Sequence, residues 1–259
     1  MYFYIYDSFL NVNKYRKILA RIEVRLGTLG ISGKIKRLNI LHHQKEAIEE
    51  SIRQGAKTIV LVGDDHGIVQ AIDTLAKHDV AVGIIPVGNE EDLHIARTLG
   101  IPPLELACEV LSRRTIARLD LGKIGVHYFL TSAEVQATTF RCVFPRRTFR
   151  VEPIVAKATL TVMNLAPAPT GNEGILQSNP RDGILELIIR DATTSFADVF
   201  RSQKIQKMPS IFHIREIELT EPEGATITMD GWRSVKLPST VTIVPQKIRV
   251  IIGRERLFS

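Results

Sequence analysis

Carboxylates gather at a few points of this chain where phosphate or metal chemistry could be done. Gly63-Asp64-Asp65-His66-Gly67 follows an apolar run, Thr58 to Val62, and precedes an amphipathic stretch from Ile68 to His78. Gly88-Asn89-Glu90-Glu91-Asp92 follows a second run, Val82 to Val87. Two isolated Asp-Gly pairs, Asp182-Gly183 and Asp230-Gly231, lie further on. A glycine-bearing loop between a strand and a helix offers backbone N–H groups to phosphate oxygens, while carboxylates offer hard oxygen ligands to Mg²⁺. Here both chemistries meet in the same loops.

The elements that must position these loops read as a β-loop-α-β-loop-α arrangement. On such sheets ligands bind at the carboxyl ends of the strands. Tyr2–Tyr6 reads as the first strand, Asn13–Leu26 as a helix and Lys36–Leu41 as a strand. Gln44–Gln54 reads as a helix ended by Gly55. Short apolar strands alternating with helices predict a parallel sheet covered on both faces. After Arg114 strand signals dominate, with one helical piece near 194–203, and a Pro- and Gly-bearing loop fills 164–182. The expected fold is therefore an α/β domain over 1–114 and a β-rich, antiparallel, sandwich-like domain over 115–259. The last strand could pack back on the first domain.

The 259 residues are 44% hydrophobic and 24% charged, an ordinary globular balance. The net charge is +6, with 17 Lys+Arg against 15 Asp+Glu in residues 1–130 and 17 against 13 in 131–259. So modest an excess suits anionic lipid, nucleotide or nucleic acid and equally suits solubility. Cys108 and Cys142 form no CxxC pair, so each is expected to be a buried thiol. No apolar run approaches a membrane span, and Met1–Asp7 lacks the basic region of a signal peptide. The expectation is a cytoplasmic protein, peripheral to a membrane if lipid is its substrate, with homo-oligomerisation left open.

In order and spacing the chain resembles the diacylglycerol kinase catalytic family of bacterial lipid kinases and sphingosine kinases, with NAD kinases more distant. Gly63–Gly67 occupies the place of its GGDGT loop. Ile84–Gly88 followed by Ala96–Pro102 is similar to its IIPxGTxNDFARxLGIP segment. Leu119–Ile124 with Tyr128–Leu130 resembles the strand pair opening its second domain, Pro180–Glu186 its DGxLD turn, and Met229–Trp232 its DGE segment, with Pro238 and Ile243–Pro245 following. The resemblance implies ATP and Mg²⁺ as cofactors and a lipid hydroxyl as acceptor. It implies a nucleotide site at Gly63, Asp64, His66, Gly67, Gly88, Asn89 and Asp92. Asp230 would activate the acceptor hydroxyl, Asp65 would be catalytic and metal-binding, and Asp182 would lie in a metal-linked turn.

The chain departs from that pattern where the chemistry is done. Asp64 and His66 replace glycines, Gly67 replaces the threonine, and Asn89–Asp92 replaces TGND with two extra residues before Ala96. Trp232 replaces the glutamate of DGE, and Asp7–Asn11 replaces an NPxxG turn. Two carboxylates facing a polyphosphate repel it unless Mg²⁺ bridges them. The same residues also have plainer readings. Asp64, Asp65 and Glu90–Asp92 suit helix N-termini, both Asp-Gly pairs suit turns, and His42-His43 suits a solvated pair. Arg141, Arg146, Arg147 and Arg150 among apolar residues suit either a solvated strand face or an anionic membrane.

Two other functions fit parts of the pattern. One is an inactive pseudokinase that keeps the shell and binds a ligand or partner. The other is a metal-dependent ribonuclease of the NYN type, built on Asp7, Asp64-Asp65 and Asp92. The β-rich second half argues against the nuclease, and nucleic acid is the less favoured partner.

Overall fold

In the computed structural model the described residues are 1–39, 43–137, 141–143, 150–151, 158–166, 178–191, 210–221 and 224–258. The helical piece expected near 194–203, most of the 164–182 loop, His42, Arg146 and Arg147 lie outside them. The chain divides into two compact units, residues 1–119 with 247–259, and residues 120–246.

The first unit carries β1 (Tyr2–Tyr6), α1 (Arg16–Thr28), β2 (Lys34–Arg37), α2 (Gln44–Arg53), β3 (Thr58–Gly63), α3 (Asp65–Leu75), β4 (Ala81–Pro86), α4 (His94–Thr98) and α5 (Glu105–Arg113). Its sheet runs β2-β1-β3-β4, all parallel, and Arg249 and Val250 pair with Ala81 and Val82 beyond β4. Every residue of β3 and β4 is buried, the expected state of a strand covered on both faces. Cys108 is a buried free thiol on α5.

A C-terminal segment docks against the end of α4. Gly253 N–H donates to the Leu99 carbonyl and Leu257 N–H to that of Thr98, each at 2.9 Å. The approach is backbone to backbone: a Cβ on Gly253 would sit 1.6 Å from the Gly100 carbonyl oxygen, so glycine is required.

The second unit begins inside β5 (Ile116–Ile124). Then come β6 (His127–Phe129), β7 (Ser132–Ala137), β8 (Arg141–Val143), β9 (Arg150–Val151), β10 (Ala158–Met163), β11 (Leu185–Asp191), β12 (Ser210–Ile214), β13 (Glu216–Glu221), β14 (Thr226–Met229), β15 (Arg233–Lys236) and β16 (Ser239–Ile251). An antiparallel six-stranded sheet has the order β12-β11-β10-β7-β14-β15. The start of β16 pairs antiparallel with β13, which pairs with β8, which pairs with β9. Strand alternation sends Ala133, Val135, Leu160, Val162, Leu185 and Leu187 into one core with Phe129, Ile217, Leu219 and Val241. The fold is thus a parallel α/β unit plus an antiparallel β unit.

Candidate functional site

In the first unit the loops after β1, β3 and β4 converge. Asp7 follows β1, and its backbone N–H donates to the Val62 carbonyl at 3.0 Å. Its side chain lies over both glycines of the first loop. A Cβ on Gly63 would come 3.0 Å from Asp7 Cβ, and one on Gly67 would come 2.7 Å from Asp7 Oδ2. Gln44, the first residue of α2, donates to the Gly67 carbonyl at 2.7 Å. The cavity between Asp7, Gln44, Gly63, Asp64 and Gly67 has about 10 Å³, room for about one water.

The two aspartates of the loop have separate tasks. Asp64 is the N-cap of α3 and accepts from Gly67 N–H at 3.1 Å. Burial pushes its carboxyl up, the Gly67 N–H pulls it down, and the Asp7 and Asp92 carboxylates add to the rise. Asp65 turns the other way and caps α4. It accepts from His94 N–H at 2.7 Å and from Ile95 N–H at 3.1 Å. Burial raises its pKa to about 6, against the pull of those N–H groups. The metal-ligand role that the resemblance gives Asp65 therefore meets a carboxylate already committed to the backbone of α4.

His66 is exposed and its Nε2 lies 2.6 Å from Gln70 Nε2, one helical turn away, so it braces α3 rather than the loop. Gly88, Asn89 and Asp92 are exposed, with Asn89 Nδ2 donating to Asp92 Oδ2 at 3.2 Å. Gly88 sits against Asp64, 3.4 Å from where its own Cβ would be to that of Asp64. The structure thus brings Gly63, Asp64, Gly67, Gly88 and Asp92 to one place and adds Asp7 and Gln44.

A bare phosphate is disfavoured here, because Gly67 N–H is taken and the carboxyl groups of Asp7, Asp64 and Asp92 gather at the same place. Carboxylate oxygens of this kind are the ligands that a hard cation such as Mg²⁺ takes, commonly only one or two of them beside phosphate. Among the described residues no group of three or more His, Cys, Asp or Glu could hold a metal ion by itself.

In the second unit Asp230 (φ 50°) and Gly231 (φ 72°) form a two-residue hairpin turn between β14 and β15. Trp232 N–H closes it on the Met229 carbonyl at 3.1 Å. The Asp230 carboxylate grips the segment after β6. Oδ1 accepts from Thr131 N–H (2.7 Å), Thr131 Oγ1 (2.6 Å) and Ser132 N–H (3.2 Å), and Oδ2 accepts from Leu130 N–H (2.9 Å). Burial pushes this carboxyl up while the four donors pull it down. Asp182 is exposed and accepts from Ile184 N–H at 2.9 Å, an Asx turn.

Sequence reasoning missed two residues of this unit. Asp120 is fully buried on β5 and accepts from Gly183 N–H and Gln246 N–H, each at 2.7 Å. Asn164 donates to the Asp120 and Leu130 carbonyls at 3.0 and 2.7 Å. Asp120, Asn164 and Asp230 thereby tie the 180–183 turn, the 130–132 segment and residue 246 together. The available signal was a charged residue inside an apolar strand, Leu119-Asp120-Leu121, where burial demands partners.

Comparison with known proteins bears on the first unit most directly. The model of the diacylglycerol kinase catalytic domain matches residues 2–124. Residues 2–124 are thus similar to that catalytic domain. Proteins named diacylglycerol kinase from two strains of Mycobacterium tuberculosis are 23% identical to this chain, over 82% of it and 82% of their own length. A crystal structure of a diacylglycerol kinase from Bacillus anthracis str. Sterne superposes with a TM-score of 0.78 at 16% identity. It covers 98% of this chain and 97% of that one. At that identity the superposition establishes the shared two-domain diacylglycerol kinase-like fold. Among the described residues no helix is long and apolar enough to cross a membrane.

Proposed function

We propose that the protein is an ATP-dependent phosphotransferase whose acceptor is a lipid hydroxyl and whose general base is Asp230. The observation that carries this is the division of labour between the two Asp230 oxygens. Oδ1 is used three times in holding the segment after β6, whereas Oδ2 accepts one N–H and keeps a second acceptor position. A carboxylate fixed by its surroundings and still able to accept a proton suits a base toward a hydroxyl.

The nucleotide falls to Gly63, Asp64, Gly67, Gly88, Asn89 and Asp92. Freeing Gly67 N–H from Asp64 costs about 1 kcal/mol, the usual worth of an N-cap. Millimolar to micromolar nucleotide affinity is worth about 4–8 kcal/mol. The cap therefore weakens phosphate binding without barring it. Asp64, released, is the loop carboxylate open to Mg²⁺, since Asp65 is held by α4. When bound, the ion would neutralise phosphate charge against Asp7, Asp64 and Asp92.

The second reading, a non-catalytic binding protein, is favoured by the Asp64–Gly67 contact and the engaged Asp65. One experiment separates the two. Purified protein is given radiolabelled ATP, Mg²⁺ and dioleoylglycerol in mixed micelles, with Asp230→Asn alongside. The kinase reading expects label in the lipid and a loss of about 100-fold or more in the variant. ATP binding by calorimetry with no transfer to any lipid hydroxyl would leave the binding protein.

A further inference from the structure

The hairpin of β5 and β6 ends in Gly125-Val126, and Val126 is 73% exposed, the most exposed large apolar side chain among the described residues. Around it lie side chains with apolar bodies and polar or charged ends. Lys123 Nζ stands 5.8 Å from the centre of the Tyr128 ring. The Arg233 guanidinium contacts Nδ1 of His127 and lies 4.4 Å over the Trp232 ring. Tyr128, Trp232, Lys123 and Arg233 are all partly exposed. Residues 123–128 and 231–236 contain Lys123, Arg233 and Lys236 and no acid.

From this surface we infer a docking site for an anionic membrane, built by the β5–β6 hairpin and the β14–β15 turn. Each component has a place in a bilayer interface. Tryptophan and tyrosine settle at headgroup level, lysine and arginine stems lie along apolar surface with their charges outward, and a solitary valine at a hairpin tip enters the acyl boundary. The charge is complementary to anionic lipid, and each cation contributes about a fivefold gain in partitioning. The placement also has a chemical purpose, which rests on the kinase reading. His127 lies against Arg233 while Leu130 lies against Asp230, so one edge of the surface is the turn that carries the proposed base. A lipid entering there presents its hydroxyl beside Asp230.

The test is co-sedimentation with vesicles of phosphatidylcholine, alone or mixed with phosphatidylglycerol, without nucleotide. Variants Val126→Asp, Lys123→Glu and Arg233→Glu are compared after circular dichroism and thermal melts establish that each is folded. The expected result is binding to the anionic vesicles alone, weakened by salt, and reduced about 25-fold by each charge reversal. Val126→Asp should bind poorly yet still phosphorylate a water-soluble short-chain diacylglycerol. Absence of vesicle binding, equal binding to neutral vesicles, or binding unchanged by all three variants would overturn the inference. Vesicle binding through these residues with no phosphoryl transfer would retain the surface and discard the kinase. Transfer to soluble lipid with no vesicle binding would do the reverse.

Discussion

Asp64 concentrates the chemistry of the proposed nucleotide site in one side chain. As an N-cap it satisfies a backbone donor that the proposed site would otherwise offer to a phosphate oxygen. As a carboxylate near Asp7 and Asp92 it repels a bare polyphosphate and attracts a cation. Replacing it with glycine costs the helix only a few tenths of a kcal/mol, because glycine is itself an acceptable N-cap. Asp64→Gly should therefore melt close to the parent. It should also bind metal-free ATP more tightly, and lose most of the gain from Mg²⁺, narrowing the gap between the two affinities by about tenfold. Calorimetry with and without the ion measures this directly. A variant whose Mg²⁺ dependence matched the parent's would assign the ion to other ligands.

At the scale of elements, the docked C-terminal segment is the most sharply constrained contact. Gly253→Ala places a methyl group on the Gly100 carbonyl, and neither backbone can yield as a side chain would. A loss of about 3 kcal/mol is expected, together with faster hydrogen exchange at residues 98–101 and 254–257. Much of this level was legible in the sequence. The strands β1, β3 and β4 and the helices α1 and α2 follow from apolar periodicity. Other elements were hidden for local reasons. Gly67 looks like a breaker, yet α3 starts at Asp65, because a close approach by Asp7 needs glycine there. Pro245 and Gln246 look like a boundary between two strands, yet β16 runs through them with Gln246 left-handed at φ 52°. Asp120 was invisible because its partners come from 63 and 126 residues away, which no local pattern encodes. Asp230 and Asp64 were legible as turn and cap, but the reach of Asp230 across 98 to 100 residues was not.

For the molecule as a whole, buried acids set the pH dependence of stability. Glu186 is 6% exposed, its Oε2 has no hydrogen-bond partner, and burial with the nearby Asp182 charge raises its pKa to about 7. Asp65 is raised to about 6. In both cases the folded chain holds its proton more tightly than the unfolded chain does. Their stabilisation is complete below pH 4 and is lost as pH rises through 6 and 7. Melting temperature should therefore fall between pH 5 and pH 8. Glu186→Gln should remove about 2–4 kcal/mol of that decline, matching the parent at pH 4 and exceeding it at pH 8. Parallel melts of the two proteins across that range decide it; parallel curves would mean that Glu186 ionises freely.

The division of the chain also bears on its birth. The 127 residues of the second unit, 120–246, interrupt the first. During synthesis β4 therefore leaves the ribosome with one edge bare, and Arg249 and Val250, which pair there, follow only after that whole insertion has been translated. At 5–20 residues per second the wait is on the order of 10 s, during which an apolar parallel edge is open to any passing strand. Yield on overexpression should therefore depend on how quickly residues 247–258 follow the insertion.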